Sequence, residues 1–411
     1  MHDSPLFRTL GITEDAGLRR ASKATGIPDP RLRRDGESSQ MPTGQDLERL
    51  LGHLHVSEEE LSLRLGIVTR SMAKALSRRA SEVARLLGEP EAEDDGASVP
   101  KPDFETSLGT LYRGDCIELM ASLPSESIDL IFADPPFNLS KAYESGMNDD
   151  ITESEYLDWT EQWVTQAVRL LNEGGSFFVW NLPKWNVHIA AMLERHLTFR
   201  HWIAVDIKYR LPIRGRLYPS HYSLLYYTRG DRPTTFEPER LPLEVCRHCA
   251  GDIRDYGGYK DKLNPGGMNL TDVWYDIPPV RHSKFKTRSS NELSLKLLER
   301  VISMASQERD VVLDPFGGSG TTYVAAELLG RRWLGMELGP LDSILRRFDN
   351  LDEQQRIIEQ YQASKNRLFS DATLRRRHEN GHWTPETLRT KKARVDGQRP
   401  DAPSQPKLLT D

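Results

Sequence analysis

The sequence is poor in cysteine, has no long apolar run and carries no excess of basic charge. Three cysteines in 411 residues argue against a disulfide scaffold and favour a reducing, cytoplasmic setting. No apolar run approaches the roughly 20 residues that a membrane helix needs, and the polar N-terminus does not resemble a signal peptide. The net charge of −6 does not by itself indicate a nucleic-acid binder. The local distribution of charge is therefore more informative than the sum.

The N-terminal part of the chain divides into three segments by composition. Residues 1–43 are polar, with scattered charges, and are predicted to be disordered. Residues 44–89 have apolar positions at helical spacing, and Ser57 with Glu60 forms a capping box at the start of one helix. Residues 90–105, with an acidic run and prolines, are predicted to be a linker to the main domain.

Within the helical module, residues 59–76 resemble a helix-turn-helix. Gly66 lies at the expected tight turn between two short amphipathic stretches. A DNA-binding module would use the second helix for recognition, whereas a helical dimerisation or docking module has the same pattern, so both interpretations remain open. The second helix would present Thr69, Arg70, Ser71 and Lys74 outward.

From residue 106 onward, apolar runs of strand length alternate with stretches of helical spacing. This alternation is typical of a doubly wound, mostly parallel α/β sheet. The main domain is predicted at 106–229 and 286–350, with an inserted region at 230–285 and a basic, disordered tail at 365–411. The predicted strands are 110–112, 128–133, 176–180, 202–208, 223–228, 311–313 and 333–337, and the predicted helices are 116–122, 153–171, 187–194, 291–305 and 321–329.

A glycine-rich segment follows the predicted strand 311–313 and opens the next helix, where the backbone can approach a ligand closely. It has no Lys-Ser or Lys-Thr pair, so it is not a phosphate-gripping P-loop. Glu337 ends the next strand and can accept hydrogen bonds from both ribose hydroxyls of an adenosine cofactor. S-adenosylmethionine fits such a site, and the alternative is an ordinary tight turn. The predicted cofactor-binding residues are Asp314, Pro315, Phe316, Gly317, Gly318, Ser319, Gly320, Thr321, Thr322 and Glu337. Asp115, after the first strand, is a further candidate, for the adenine amino group of the cofactor, or else a surface turn residue.

A second motif, Asp-Pro-Pro-Phe, ends the predicted strand 128–133. An aromatic amine is a poor nucleophile, so its methylation needs acceptors for its two N–H bonds. Asp134 would supply one acceptor, and the rigid proline turn would direct a main-chain carbonyl at the second proton. A flat side chain would contact the target base, which must leave the duplex to reach the pocket. A structural turn is the alternative. The predicted catalytic residues are Asp134, Pro135, Pro136 and Phe137.

With Gly114-Asp115 and Glu337, these two motifs resemble those of bacterial amino-group DNA methyltransferases. The order, with the catalytic motif before the cofactor motif, is similar to the β-class arrangement, and the resemblance spans residues 106–348. It implies an S-adenosylmethionine-dependent fold with a seven-stranded sheet, a target-recognition region between the motifs, and double-stranded DNA as substrate.

The Asp-Pro-Pro form favours N6 of adenine within this family, and N4 of cytosine is the alternative. Methylation of RNA or of a protein amide, and a DNA-binding regulator with an inactive enzyme domain, are weaker alternatives. A homodimer and a partner restriction endonuclease remain open. Family members often have a Lys-Pro pair before the helix that leads into the glycine motif. This sequence has none, and Ser289, Ser290 or Asn291 is the candidate substitute.

Basic residues interleaved with tyrosines are concentrated between the two motifs, where they can hold phosphates or read guanine edges. Cys246 and Cys249 form one Cys-x-x-Cys without a second such pair, which favours a buried reduced pair over a zinc site. No metal is therefore predicted. The predicted DNA-binding residues are Arg210, Arg214, Arg216, Arg247, Lys284 and Lys286.

Overall fold

The computed structural model describes residues 4–37, 41–88, 101–139, 151–206, 213–215, 217–246, 248–251, 263–278 and 292–387. The chain divides into two compact units. The first comprises Met1–Ala97 with Ile151–Trp159, and the second comprises Ser98–Asp150 with Thr160–Asp411. Within the described ranges, no helix is both long enough and apolar enough to cross a membrane.

The first unit is helical and begins earlier than the sequence predicted. A core of leucines, with Phe7 and Ile12, is buried between its helices. The prediction of disorder was wrong for the described residues before residue 44, because apolar residues that are sparse in the sequence converge on one core. Arg31 also pairs with Asp46 at 2.9 Å and so joins two of the helices. The helices are α1 (Pro5–Thr9), α2 (Asp15–Thr25), α3 (Asp29–Glu37), α4 (Gln45–Leu54), α5 (Glu58–Arg64), α6 (Arg70–Arg78) and α7 (Ala80–Leu87).

The second unit is built on a nine-stranded sheet, with strand order β1-β2-β11-β10-β3-β4-β6-β5-β9. Pairing is parallel except at β1–β2, β4–β6 and β5–β6. The expected seven strands are present, and a two-residue strand extends the sheet at each edge. One of these, β1, lies inside the predicted linker. The strands are β1 (Phe104–Glu105), β2 (Gly109–Arg113), β3 (Ile128–Ala133), β4 (Leu171–Asn181), β5 (Thr198–Asp206), β6 (His221–Thr228), β9 (Val273–Trp274), β10 (Val311–Asp314) and β11 (Arg332–Glu337), and a separate hairpin pairs β7 (Arg240–Leu241) with β8 (Met268–Asn269).

The helices of this unit accompany the sheet strands in the order that the alternation predicted. The central strands are apolar along most of their length, which is why they are buried: Phe132, Phe178 and Trp333 are almost fully excluded from solvent. Phe178 of β4 stacks on Tyr226 of β6, with ring centroids 4.4 Å apart. The helices are α8 (Cys116–Ala121), α9 (Glu153–Leu170, of which the residues up to Trp159 are grouped with the first unit), α10 (Pro183–Leu193), α11 (Leu295–Ala305), α12 (Thr321–Leu328), α13 (Asp342–Phe348), α14 (Leu351–Ser364) and α15 (Asp371–Glu379).

The segment after residue 364 is folded as far as residue 387, which corrects the prediction of a disordered tail from residue 365. Arg377 of α15 is fully buried, and its guanidinium lies 4.6 Å from the ring centroids of both Phe369 and Trp383. The same guanidinium donates to the carbonyl oxygen of Ala250 at 2.7 Å. A charged residue at the centre of a small core is hard to anticipate from composition, because arginine is usually exposed. Residues 388–411 lie outside the described part.

The C-terminal segment also forms backbone hydrogen bonds with the inserted region. Leu243 donates its backbone N–H to Leu368 at 2.9 Å, and Asn366 donates to Arg240 at 2.8 Å. On the other side of the hairpin, Leu368 donates to Pro265 at 2.9 Å. The described parts of the predicted recognition region are therefore held by backbone bonds to a segment that the sequence had assigned to a tail.

Candidate active site

Four neighbouring strands each place a carboxylate at the same edge of the sheet. The strands β2, β11, β10 and β3 are adjacent and mutually parallel, so their carboxyl ends meet along one edge. The edge of a parallel sheet outside the carboxyl ends of its strands is the usual ligand site of such folds. In strand order, the four carboxylates belong to Asp115, Glu337, Asp314 and Asp134.

The glycine-rich turn lies between β10 and α12, as predicted, and its glycines serve packing as well as access. Gly318 and Gly320 have φ angles of +56° and +74°, which L side chains rarely adopt. A Cβ on Gly317 would lie 2.7 Å from the Tyr323 hydroxyl, and one on Gly320 would lie 2.8 Å from Ile344. Gly317 and Gly320 are thus required by close approaches of other residues within the protein itself.

Glu337 fixes the turn through both of its carboxylate oxygens. Its Oε2 accepts the backbone N–H of Gly318 at 2.7 Å, and its Oε1 accepts that of Gly339 at 2.7 Å. A carboxylate has about four acceptor positions, so two backbone bonds leave capacity for a ligand's hydroxyl groups. The side chain is half-buried at the end of β11, where a ligand can reach it.

Asp314 is buried beneath this turn. Its Oδ1 accepts the N–H of Phe316 at 2.9 Å. Burial, together with the negative charges of Asp134 and Glu337, raises the pKa of Asp314 well above its usual range, although hydrogen bonds from Thr322 and Phe316 oppose that shift. Because burial is the main cause, the shift favours the neutral form of Asp314, and the nearby charges of Asp134 and Glu337 make this edge of the sheet unfavourable for a further anion.

Asp115 has a structural function that the sequence only partly indicated. Its Oδ1 caps α8 by accepting the N–H of Ile117 at 2.8 Å. The neighbouring thiol of Cys116 is buried, and burial, with the charge of Asp115 adding to it, raises the pKa of Cys116 to about 12. This cysteine is therefore not a nucleophile near neutral pH.

The Asp-Pro-Pro-Phe motif follows β3 directly, with Asp134 half-buried and Phe137 buried. The carbonyl oxygen of Phe137 accepts a hydrogen bond from the indole N–H of Trp185 at 2.6 Å, which holds the end of the motif against α10. No local sequence pattern predicts this contact, because the two residues are distant in sequence.

Tyr222 is a site residue that the sequence did not single out. Its ring centroid lies 5.9 Å from that of Phe137 and 4.9 Å from that of Trp180, with the latter pair stacked. Burial, with the charge of Asp134 contributing, raises the pKa of Tyr222. Tyr222 comes from β6, next to β4, so its approach to the motif depends on the strand order. The only sequence signal was its place among several tyrosines.

The segment that leads into α11 is tied to the glycine turn by Arg347. This buried guanidinium pairs with Glu292 at 2.9 Å and donates to Ser319 Oγ at 3.3 Å. Ser289, Ser290 and Asn291, the candidates to replace the Lys-Pro pair, lie outside the described residues. The contact between Arg347 and the adjacent Glu292 is described.

Most of the predicted DNA-binding residues lie where the structure gives no description. Arg214 is described and exposed. Cys246 and Cys249 are exposed free thiols, so the prediction of a buried pair was wrong. In the portions of the chain that are described, no three or more His, Cys, Asp or Glu side chains are grouped so as to hold a metal ion. The predicted residues outside the described ranges are Arg210, Arg216, Arg247, Lys284 and Lys286.

Comparison with known proteins identifies the family. The family model described as DNA methylase matches residues 128–341. Type II methyltransferase M.BamHI of Bacillus amyloliquefaciens is 46% identical over 357 residues, which are 86% of this chain and 84% of that protein. The chain belongs to the amino-group DNA methyltransferase family. Type II methyltransferase M.ScaI of Streptomyces caespitosus is 31% identical over 71% of this chain and 92% of its own length. Among solved structures, the cytosine-N4-specific PvuII DNA methyltransferase aligns with a TM-score of 0.46 and 20% identity over 63% of this chain and 95% of that one.

Membership of this family makes the chain a DNA methyltransferase, with S-adenosylmethionine as its cofactor. The resemblance, the α/β fold class and the cofactor that the sequence predicted are therefore confirmed. The roles of individual residues and the identity of the methylated base stay predictions.

Proposed function

We propose that this methyltransferase modifies a specific site in duplex DNA by methylating an exocyclic amino nitrogen of a base turned out of the helix. The observation that carries the proposal is the adjacency of the two motifs. Asp134 follows β3, and the turn fixed by Glu337 follows β10, its direct parallel neighbour. An amine held at Asp134 and a cofactor held at Glu337 would then lie side by side, which in-line transfer requires.

The residues at this edge fit S-adenosylmethionine. Glu337 would accept hydrogen bonds from the ribose hydroxyls, and Asp115 retains one carboxylate oxygen that does not cap α8. The sulfonium is cationic, and the charges of Asp134 and Glu337 at this edge would attract it. When bound, the cofactor supplies an electrophilic methyl group.

Asp134 would act on the amine itself. Its carboxylate accepts one N–H bond of the target, which stabilises the positive charge that develops on nitrogen as it is alkylated. The same carboxylate can receive the proton that the nitrogen then loses. The prolines that follow Asp134 have restricted backbone dihedral angles, so they would fix the direction of the main-chain carbonyl that accepts the second N–H bond.

The aromatic rings around the motif would hold the target base. Phe137, Tyr222 and Trp180 form a contiguous group, with centroids 5.9 Å and 4.9 Å apart in that order. Stacking on aromatic side chains contributes about 1–3 kcal/mol per base in single-stranded nucleic acid complexes, enough to offset part of the cost of unstacking.

The base is proposed to be adenine, because the Asp-Pro-Pro form favours N6 methylation. Cytosine is retained as the second candidate because the matching family model spans N6 and N4 enzymes. Mass spectrometry of nucleosides from the DNA of an expressing host should show N6-methyladenine. Detection of N4-methylcytosine alone would reject adenine and leave the amine chemistry intact. Single-molecule sequencing of the same DNA should place the modified base in one sequence context, whereas methylation scattered over unrelated contexts would argue against site specificity.

Replacing Glu337 with alanine is expected to weaken cofactor binding. The change removes the ribose acceptor and releases the N–H groups of Gly318 and Gly339. We expect the Kd for S-adenosylmethionine, measured by calorimetry, to rise at least about 10-fold, equivalent to about 1.4 kcal/mol. Glu353→Ala, at an exposed position of α14, removes the same charge away from the turn and should leave the Kd unchanged. Equal Kd values for the two variants would show that Glu337 does not hold the cofactor.

A further inference from the structure

The connection between α5 and α6 has the helix caps and the glycine turn that are typical of a helix-turn-helix. Ser57 caps α5 by accepting the N–H of Glu60 at 3.1 Å, and Thr69 caps α6 by accepting that of Met72 at 3.2 Å. Between the two helices Gly66 adopts a φ of +74°, the left-handed conformation that reverses the chain in a tight turn. Each helix of the pair therefore has a defined start, and the turn between them is set by glycine.

The residues that face the module's interior are apolar or small. Leu61 is fully buried, Leu65 and Met72 are buried, and Ser62 is only 4% exposed. Leu61 and Leu65 belong to the core that α1–α4 share, so α5 is anchored in the first unit, and Met72 gives α6 one buried side chain. The outer surface of α6 is thereby left to solvent.

That outer surface is basic. From residue 61 to residue 81 the sequence contains no acidic residue, and α6 exposes Arg70, Lys74 and Arg78. Within the described part of the chain, Arg70 and Lys74 form no ion pair. The neighbouring basic residues differ, since Arg64 pairs with Glu60 and Arg79 with Glu82. Two cations one helical turn apart, at the amino-terminal half of a helix that follows a glycine turn, match the position from which recognition helices contact DNA.

We propose that α6 is a second DNA-binding element of this enzyme, which binds duplex DNA through Arg70 and Lys74. The ligand class is the sugar-phosphate backbone and base edges of the major groove, since an α-helix fits that groove and guanidinium and ammonium groups bind phosphate and guanine. The proposal uses DNA as the substrate that family membership gives. It is independent of which base is methylated and of the roles given to Asp134 and Glu337.

Dimerisation is the competing interpretation of this module, and it would use a different surface. The apolar residues that the module exposes most are Leu86 and Leu87 of α7, at 86% and 81%. They are separated from the basic surface of α6 by the start of a new helix at Ala80. Variants of α6 alone therefore separate the two interpretations.

The test compares two double variants of the full-length enzyme. Arg70→Ala with Lys74→Ala removes the proposed contacts, and Arg19→Ala with Lys23→Ala is the matched control, an exposed arginine–lysine pair at the same spacing on α2. Affinity for a 30-base-pair duplex of random sequence, at several salt concentrations, is the readout for non-specific binding. Loss of two phosphate contacts should lower the slope of log K against log salt by about 1.8, because each contributes about 0.9.

We expect the α6 variant to bind the duplex at least about 10-fold more weakly than wild type near 0.15 M salt, with the control unchanged. Its Kd for S-adenosylmethionine and its kcat on saturating DNA should match those of wild type, which shows that the fold and the chemistry are intact. Equal salt slopes and affinities for the two variants would overturn the proposal. A change in oligomeric state on sedimentation, with an unchanged salt slope, would overturn it in favour of a dimerisation module.

Discussion

Replacement of Asp134 with alanine is expected to abolish methyl transfer while cofactor binding persists. The carboxylate is the group at the end of β3 that can accept an N–H of the target amine, and β3 is the direct neighbour of β10, which leads into the glycine turn. Loss of one preorganised electrostatic partner typically costs 10²–10³-fold in kcat. In the proposed mechanism the same group also receives the proton, so we expect a loss of at least about 10³-fold. Single-turnover incorporation of methyl groups into DNA measures the rate, and calorimetry measures cofactor affinity.

Two further variants sharpen this test. Asp134→Asn retains an acceptor oxygen but loses the charge, so its rate should lie between those of Asp134→Ala and wild type. Asp349→Ala removes an exposed carboxylate from the end of α13 and should leave the rate unchanged. An Asp134→Ala enzyme that transfers methyl groups at nearly the wild-type rate would refute the proposed amine activation. If Asp134→Ala instead lost cofactor binding, the carboxylate would belong to the cofactor site.

The central sheet could be predicted because its parallel strands are buried on both faces and appear as unbroken apolar runs. The run 128–133 ends at the Asp-Pro-Pro turn, and the run 311–313 ends at the glycine turn, so turn-forming residues indicate where both strands end. Since the carboxyl ends of parallel strands share one edge, placing these two motifs at strand ends was enough to place them near each other. Their direct adjacency, β10 beside β3, came only from the structure.

The contacts that arise from strand order and from charged cores could not be predicted. Tyr222 reaches the Asp-Pro-Pro-Phe motif because β6 runs antiparallel beside β4, and nothing local in the sequence specifies that pairing. Arg377 organises the C-terminal segment through two aromatic rings and a backbone carbonyl that is distant in sequence. Composition predicted that this arginine lies in a disordered tail, because arginine is exposed in most proteins. Composition alone does not reveal the tertiary environment of a single residue.

The second large effect that we expect is a loss of stability on substitution of Arg300. This arginine of α11 is fully buried and pairs with Glu239 at 2.6 Å and with both oxygens of Asp276, at 3.0 Å and 2.6 Å. Its guanidinium lies 4.8 Å from the ring centroid of Trp274. Lys296 also pairs with Asp276, at 2.6 Å. The cluster joins α11 to residues that flank the hairpin and β9, so it holds the inserted region to the helix that precedes β10.

Arg300→Met should therefore lower the free energy of unfolding by about 3–5 kcal/mol at neutral pH. The substitution keeps much of the side-chain volume but leaves two carboxylates partly desolvated, with Lys296 beside Asp276 and Lys365 beside Glu239 as their remaining partners. Breaking one partner of a buried pair costs that amount. Urea denaturation followed by fluorescence measures the difference. Arg195→Met is the matched control, because Arg195 pairs with Glu161 at an exposed position and should cost at most about 1 kcal/mol. Equal losses for the two variants would show that the buried cluster contributes no more than a surface pair.

The pH dependence gives an independent check of the same cluster. Burial opposes ionisation of Asp276, but hydrogen bonds and charge from Arg300 and Lys296 outweigh it and lower the pKa of Asp276 to about 2. A carboxyl whose pKa is depressed by folding stabilises the protein above its unfolded pKa, near 4, and loses that contribution as the pH falls toward about 2. The stability difference between wild type and Arg300→Met should accordingly shrink as the pH is lowered from about 4 to about 2. A difference that stays constant over this interval would mean that packing of the arginine, and not its charge, accounts for the loss.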